Sequence, residues 1–316
     1  LYKNTNWDIW GLIRWRSPTE NIKNHFKAIN NKKRVFLVYA DIRDPISTRN
    51  AIKTARPDFV FHLAAQSFPQ TSFKSPLDTY QTNIQGTTNV LDALKEFSKN
   101  AMIHVCSSSE VFGRVSKSEI PIKEETKFHP ASPYAISKIG TDLIGRFYAE
   151  AYGMNVMITR MFTHTGPRRG DVFAEASFAK QIALAENNFI EKEISVGNLN
   201  SLRTIADVRD AVRAYYLLLT VKPKAGEYYN IGGKHTVKIS RLLDDLIGLS
   251  KLKKQLKIVV DKDRLRPIDA DLQIPDTSKF SKHTGWKPEI SYTQTLIDLL
   301  EYWRTIVKLN GNLLKR

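Results

Sequence analysis

Short apolar runs alternate with longer amphipathic segments along the first half of the chain. WDIWGLI, at residues 7–13, is rich in aromatic and β-branched residues and predicts a buried strand. Similar runs predict strands within residues 34–44, 58–65, 101–113 and 155–162, and the segments between them, within residues 45–57, 75–100 and 132–154, have the spacing of helices. This alternation predicts an α/β fold with a doubly wound parallel (Rossmann-type) sheet and right-handed crossovers.

The pattern changes after Phe162. A loop rich in Gly, Pro and Arg follows, and then come predicted helices, one of them at residues 206–220, and a strand at 227–233. The remaining segments indicate a smaller C-terminal α/β unit. We predict a Rossmann-type domain formed by residues 1–165 and 204–234, and a substrate-binding domain formed by residues 166–203 and 235–316.

Composition narrows the class of protein. The only cysteine, Cys106, excludes an internal disulfide and is typical of a reducing compartment, so we expect a cytoplasmic protein. No apolar run reaches the roughly 18 residues that span a bilayer. The formal net charge is +16, but the lysines are scattered and no stripe of Arg and aromatic residues accompanies them. We interpret the charge as a solvated basic surface and expect neither a nucleic-acid nor a membrane partner.

Parallel sheets bind ligands beyond the carboxyl ends of their strands, and polar residues gather there. Tyr134 and Lys138 form Y-x-x-x-K, which places both on one face of a helix. A lysine ammonium lowers the pKa of a neighbouring phenol, which suits the phenol to take a proton from a sugar hydroxyl. The motif alone is weak, since about one match is expected by chance in a lysine-rich chain of this kind. Ser108 and Glu110, in the turn after a predicted strand, strengthen the motif, although a carboxylate such as Glu110, taken alone, is more typical of a solvated turn.

Seven blocks then occur in order over nearly the whole chain: HLAAQS, SSSEVFG, SPYAISK, TRMFTHTGPRRGD, VGNLNSLRTIADVRDAVRAYYLLL, RLRPIDAD and HTGWKP. Together they resemble the extended short-chain dehydrogenase/reductases that act on nucleotide sugars. GDP-mannose 4,6-dehydratases are most similar, and GDP-6-deoxy-4-keto-mannose reductases follow. The resemblance implies a lyase of deoxysugar biosynthesis that forms a 4-keto-6-deoxy sugar nucleotide.

The resemblance also implies catalytic roles. Tyr134, with Lys138, would take the C4 hydroxyl proton as hydride leaves C4, and Ser108 would hydrogen-bond that hydroxyl. Glu110 would remove the C5 proton, water would leave from C6, and the hydride would return there. Some related dehydratases carry an Asp where this chain has Ser109. We therefore expect protonated Glu110 to act as the acid.

For the cofactor, the resemblance implies NADP rather than NAD. Arg14, Arg16 and Ser17 lie in a segment similar to G-x-x-R-R-S of the family, and arginine at this strand end accommodates a 2′-phosphate. The positions that match the family's other cofactor contacts are Asp41, Ile42, Leu63, Ala64, Ala65, Tyr134 and Lys138.

The family also has a strand and G-x-x-G-x-x-G roughly 25 residues before residues 7–13, which the printed sequence does not contain. Three explanations are open: the sequence is a fragment of a longer chain, the segment was disordered and left out, or the protein lacks it. We favour a fragment, because a parallel sheet without a central strand exposes its edges.

On the substrate side, arginines hold a diphosphate through bidentate bonds, and Arg169, Arg203 and Arg266 lie in matching blocks. Asp269 stands where the family has a glutamate that bonds the nucleotide ribose, and Thr163 where it has an asparagine. Further predicted substrate contacts are Gln66, Ser108, His164 and Lys180, of which His164 is as typical of a packed loop and Lys180 of an ordinary helix. No metal is expected, and the base and the sugar stay open.

The resemblance implies self-association as well. The segments at residues 75–97 and 132–152 would pair with their copies across a dimer axis, and residues 14–22 would join two dimers into a tetramer. Three alternatives remain: a 4-keto reductase that uses Tyr134 and Lys138, another nucleotide-sugar epimerase or dehydratase, and a non-catalytic nucleotide-binding scaffold.

Overall fold

A computed structural model describes residues 1–311. The strands within this range are β1 (Ile9–Ile13), β2 (Val35–Tyr39), β3 (Phe59–His62), β4 (Met102–Cys106), β5 (Asn155–Met161), β6 (His164–Thr165), β7 (Glu193–Val196), β8 (Leu202–Asp207), β9 (Tyr228–Ile231), β10 (His235–Lys238), β11 (Lys257–Val260) and β12 (Leu272–Gln273). The α-helices are α1 (Phe26–Asn30), α2 (Pro45–Ala55), α3 (Pro69–Lys74), α4 (Pro76–Tyr80), α5 (Gly86–Phe97), α6 (Pro133–Tyr152), α7 (Ala174–Glu186), α8 (Val208–Thr220), α9 (Ile239–Gly248), α10 (Ser278–Thr284) and α11 (Tyr292–Asn310).

The N-terminal part is a parallel α/β structure, which confirms the predicted fold class. Strands β3, β4, β5 and β9 are hydrogen-bonded in that order, and every pair is parallel. Strands β1 and β2 form a separate parallel pair. Trp7, just before β1, stacks on Phe59 of β3 with ring centroids 4.4 Å apart, so the two sheets are in contact at this end.

Helices cover both faces of the four-stranded sheet. The core on one side joins α5 and α6 to strands β4 and β5. The core on the other side joins α8 to β5 and β9. Helices α4 and α5 are continuous through a wider turn at Gln81–Gln85, and α6 lies close to this turn because Gly140 has no side chain. A Cβ there would approach Ile84 to 2.9 Å.

The C-terminal part has its own apolar core. Helices α7, α9 and α11 pack around β7, which pairs in parallel with β11. Strand β8 pairs with antiparallel β10 and with parallel β6 and β12, and so connects this part to the end of β5. The two domains remain a prediction, and residues 312–316 of the second lie outside the described residues.

Among residues 1–311, no helix combines the length and the apolar character that crossing a bilayer requires.

Candidate active site

A cleft of about 490 Å³ opens beyond the carboxyl ends of β4 and β5. Its walls come from the turn after β4, the start of α6, the loop between β6 and α7, and the segment before β12. Most of the residues that the sequence assigned to the catalytic and substrate sites line it: Ser108, Glu110, Tyr134, Lys138, Thr163, His164, Arg169, Arg203, Arg266 and Asp269. Leu63 and Ala65 of the predicted cofactor stretch line it as well.

Helix α6 presents Tyr134 and Lys138 to the cleft from its first turns. Ser132 caps the helix, its Oγ accepting a hydrogen bond from the Ala135 backbone N–H at 3.0 Å. Tyr134 is buried, and the Lys138 ammonium donates to the Cys106 carbonyl oxygen at 2.6 Å. This bond ties α6 to the end of β4, so the Tyr–Lys pair and the turn after β4 form one rigid wall.

Burial dominates the ionisation of both side chains. Desolvation raises the pKa of the Tyr134 phenol, and a hydrogen bond with Ser108 and the charge of Arg169 act in the opposite direction. Burial also lowers the pKa of the Lys138 ammonium. The largest contributions that lower the pKa of Tyr134 come from Ser108 and Arg169, and the expected contribution of Lys138 stays a prediction. The Lys138 ammonium is directed at the Cys106 carbonyl, and desolvation of the phenol outweighs the favourable charges.

The fold explains why the motif S-S-E-V-F-G begins with serine and ends with glycine. Ser108 Oγ accepts a hydrogen bond from the Glu110 backbone N–H at 3.2 Å, which starts a single tight turn. Val111 and Phe112 are fully buried and anchor this turn. Gly113 has φ +52°, and a Cβ on it would lie 1.8 Å from the His129 carbonyl oxygen, so only glycine fits. The turn thereby holds Glu110 at the wall of the cleft.

Arginines gather at the end of the cleft formed by the C-terminal part. Arg203 and Arg266 form ion pairs with Asp269 at 3.7 and 3.4 Å. The sequence reasoning missed two neighbours of this group. Asn198 donates to Asp269 at 3.2 Å, and Arg264 lines the same end. Arg264 lies two residues before Arg266 in the block RLRPIDAD, which was the available signal.

Strand β6 supplies His164, and the loop between β6 and α7 supplies Arg169. Burial, and then the charge of Arg169, lowers the pKa of His164 to about 4, so this ring is neutral near pH 7. The Arg169 guanidinium carbon lies 3.4 Å from the centroid of the Phe173 ring. Arg169 also pairs with Glu175 at 3.7 Å. The sequence reasoning missed Phe173 and Glu175, and no motif in the sequence pointed to them.

Gln66 and Lys180, two predicted substrate contacts, form their polar contacts with residues of the protein instead. The Gln66 amide donates to Thr79 Oγ1 at 2.9 Å and accepts from the Phe68 backbone N–H at 2.6 Å. The Lys180 ammonium pairs with Asp171 at 2.7 Å. Neither residue is among the described residues that line the cleft, and neither is Ala64.

A second cavity, of about 570 Å³, lies beyond β1 and β2 and contains most of the predicted adenosine contacts. Arg14, Arg16 and Asp41 line it, and Ser17 Oγ supports the loop by accepting from the Arg14 backbone N–H at 3.2 Å. Ile42 is buried. Arg43, which the sequence reasoning missed, donates to Asp41 at 2.7 Å.

The residues of this second cavity fit a phosphorylated ribose. The hydrogen bond from Arg43 holds the pKa of the Asp41 carboxyl below its ordinary value, and Arg43 also pairs with Asp78. Arg14 and Arg16 form no ion pair with a residue of the described range, so both are available to a phosphate group.

Comparison with known proteins agrees with this geometry. The model of the GDP-mannose 4,6 dehydratase family matches residues 1–299. The chain belongs to this family. The family recognition made from the sequence blocks is therefore confirmed, and the roles of individual residues remain predictions.

Relatives within the family carry two different activities in their names. GDP-6-deoxy-D-mannose reductase of Pseudomonas aeruginosa is 34% identical over 252 residues, which cover 80% of this chain and 82% of that protein. GDP-mannose 4,6 dehydratase 1 of Arabidopsis thaliana is 30% identical over 295 residues, which cover 90% of this chain and 80% of that protein. The structure of RMD from Pseudomonas aeruginosa complexed with NADPH has a TM-score of 0.80 at 30% identity, and the match covers 95% of this chain and 100% of that one.

Proposed function

We propose that this protein is an NADP-dependent nucleotide-sugar 4,6-dehydratase that converts GDP-mannose to GDP-4-keto-6-deoxy-mannose. One observation carries the proposal: Glu110 shares a cleft with Ser108, Tyr134 and Lys138. Oxidation at C4 needs only a hydroxyl base and a hydride acceptor, whereas elimination also needs a base for a carbon-bound proton. A carboxylate in the same cleft supplies that base. Membership of the GDP-mannose 4,6 dehydratase family supports the substrate.

NADP would be held by residues of both cavities. Arg14 and Arg16 would hold the 2′-phosphate, and Asp41 would accept from the adenine amino group. Leu63 and Ala65, which follow β3, would lie against the nicotinamide end, since they line the catalytic cleft. The bound cofactor would supply the group that accepts the hydride from C4 and returns it to C6.

Tyr134 performs the first proton transfer. The phenol is buried and its pKa is raised, so the phenolate that accepts the C4 hydroxyl proton needs local stabilisation. Ser108 provides a hydrogen bond to the phenol, and the positive charge of Arg169 favours the phenolate. Ser108 also lies at the cleft wall, where its hydroxyl can bond the C4 oxygen.

Glu110 performs the second proton transfer. Once C4 is a ketone, the C5 proton is acidic, and the Glu110 carboxylate removes it. The electron pair of the C5–H bond forms the C5–C6 double bond as the C6–O bond breaks, and the proton on Glu110 passes to the departing hydroxyl to make water. The hydride returned to C6 would be matched by a proton that C5 takes from solvent. Ser109, which stands where some dehydratases have an aspartate, is buried and offers no second carboxylate.

The substrate's nucleotide occupies the far end of the cleft. Arg203 and Arg266 hold the diphosphate, and Asp269, already positioned between them, accepts from the nucleotide ribose. Arg264, which lines the same end, adds a third guanidinium to the diphosphate site.

Replacing Glu110 with Gln tests the proposal directly. The amide cannot accept the C5 proton, while Tyr134 and Lys138 stay intact, so the variant should oxidise C4 and then stall. The reduced nicotinamide should accumulate on the enzyme and absorb near-ultraviolet light, and incorporation of solvent deuterium at C5 should nearly cease. Glu125→Gln, an exposed carboxylate of the following loop, is the matched control and should behave as wild type. Normal turnover and normal C5 exchange in Glu110→Gln would falsify the role of Glu110.

A second candidate activity is reduction of a 4-keto-6-deoxy sugar nucleotide. It is favoured by the 34% identity to the Pseudomonas aeruginosa reductase and would use Tyr134 and Lys138 without Glu110. The two activities differ in how they use the cofactor: the dehydratase regenerates NADP in each turnover, and the reductase consumes NADPH. GDP-mannose with catalytic NADP should yield a 4-keto-6-deoxy product if the protein is a dehydratase. Absence of that product, together with NADPH oxidation on the 4-keto substrate, would establish the reductase instead.

The protein is proposed to act as a homodimer through α6 and the helix formed by α4 and α5. Ile136, Leu143 and Phe147 are about half exposed and lie along one face of α6. An apolar stripe of this kind is stabilised when a second copy covers it. Residues 14–22 are proposed to join two dimers into a tetramer. Sedimentation velocity at micromolar concentration should show a dimer or tetramer, and a monomer would contradict this arrangement.

A further inference from the structure

Arg169 and Glu175 face one another in the cleft wall without completing a hydrogen bond. Arg169 Nε and Glu175 Oε1 are 3.7 Å apart, beyond hydrogen-bond distance. Both atoms are buried, and neither has a hydrogen-bond partner among the described residues. Buried charged groups are normally hydrogen-bonded, because an unmet donor or acceptor is costly. Both residues line the cleft, so a ligand group placed there can supply the missing partner.

Burial and one ring contact restrict the two side chains. Glu175 belongs to the first turn of α7 and is only 5% exposed. The Arg169 guanidinium carbon lies 3.4 Å from the Phe173 ring centroid, so one face of the guanidinium is covered. All three residues line the cleft. A ligand in the cleft thus meets a fixed N–H donor beside a fixed carboxylate acceptor.

Charge decides what kind of ligand group this pair suits. The Arg169 and Glu175 charges cancel, whereas Arg203 and Arg266 share the single carboxylate of Asp269 and keep a net positive charge that suits a diphosphate. Three guanidiniums, those of Arg203, Arg264 and Arg266, already line the nucleotide end of the cleft. A hydroxyl is the simplest neutral group that accepts one hydrogen bond and donates another.

The position of the pair favours the sugar end of the substrate. Phe173, which contacts Arg169, packs on Phe68 with ring centroids 5.9 Å apart, and Ser72 of α3, the helix that begins after Phe68, accepts a hydrogen bond from the Tyr134 backbone N–H at 3.0 Å. A group close to Tyr134 meets the ring that reacts there.

We propose that Arg169 and Glu175 form a neutral donor–acceptor pair that binds a hydroxyl of the hexose. The Arg169 Nε–H donates to the hydroxyl oxygen, and the Glu175 carboxylate accepts the hydroxyl proton. The identity of the substrate rests on the proposed function. The pair replaces the sequence-based assignment of Arg169 to the diphosphate and makes Glu175 a further substrate-binding residue.

Binding calorimetry with GDP and with GDP-mannose tests this proposal. Glu175→Ala should weaken GDP-mannose binding about 10- to 100-fold, the effect of losing a hydrogen bond to a charged group, and should leave GDP binding within about twofold of wild type. Glu175→Gln keeps a carbonyl acceptor and should lose less affinity for GDP-mannose than Glu175→Ala. Glu191→Ala, an exposed carboxylate outside the cleft, is the control and should bind both ligands as wild type.

The comparison of the two ligands separates the outcomes. Equal weakening of GDP and GDP-mannose by Glu175→Ala, or no weakening of either, would overturn the proposal, because a general structural role does not discriminate the sugar. If wild type fails to bind GDP-mannose, the proposed substrate is wrong. In that case the same comparison with UDP and UDP-glucose, or dTDP and dTDP-glucose, tests the pair independently.

Discussion

Two buried histidines, on strands β3 and β4, should make the stability of this protein sensitive to mild acid. His62 of β3 bonds Thr87 Oγ1 at 3.0 Å, and His104 of β4 bonds Thr159 Oγ1 at 2.8 Å. Both imidazoles are buried. Burial lowers the pKa of His62 to about 4 and that of His104 to about 3. The Lys138 charge contributes less to both, and His62 also contributes to the lowering at His104.

The direction in which the free energy of unfolding changes with pH follows from proton uptake by the unfolded chain. An unfolded histidine has a pKa near 6.5, so the unfolded chain binds protons below that pH while the folded protein does not. The stabilisation of the neutral histidines is thus present above pH 6.5 and is lost as the pH falls towards 4. At pH 5.5, one unit below the unfolded pKa, each histidine should lower the free energy of unfolding by about 1.4 kcal/mol. This figure depends little on the pKa values of the two histidines in the folded protein, because both lie well below 5.5.

Urea unfolding at pH 7.5 and 5.5 measures the effect. His62→Gln and His104→Gln remove one titrating group each, so each variant should lose about 1.4 kcal/mol less than wild type between the two pH values. Glu124, a buried carboxyl whose pKa burial raises, contributes a change of opposite sign. That contribution is common to wild type and variants and cancels in the comparison. Equal pH dependence in wild type and both variants would refute the reasoning.

Further predictions concern the cofactor and the catalytic base. Tyr134→Phe keeps the packing but removes the acid–base hydroxyl, and its turnover number should fall about 10²–10⁴-fold with little change in NADP affinity; near-normal turnover would contradict the role of Tyr134. Arg14→Ala combined with Arg16→Ala should weaken NADP binding at least tenfold and leave NAD binding nearly unchanged, because only NADP carries the 2′-phosphate. Fluorescence titration of the variant with both cofactors measures this, and equal weakening of the two would show that these arginines do not read the 2′-phosphate.

The sequence by itself determined the features that follow local rules. The alternation of strands and helices, and the start of α6 at Ser132 and Pro133, depend on periodicity and capping within one segment. Tyr134 and Lys138 share a face because the helix repeat requires it, and Ser108 and Glu110 reach the same edge because parallel strands end there. The meeting of these four residues in one cleft could therefore be predicted before any tertiary contact was known.

Only the tertiary structure decided which distant groups meet and how they ionise. Arg203 of β8 pairs with Asp269, 66 residues later, because β12 pairs with β8, and Arg43 pairs with Asp78, 35 residues later. Gln66 and Lys180 looked available in the sequence, but their polar atoms bond to Thr79 and Asp171. The pKa of Tyr134 rises because burial removes water from the phenol, and no pattern of residue types along the chain reports that loss.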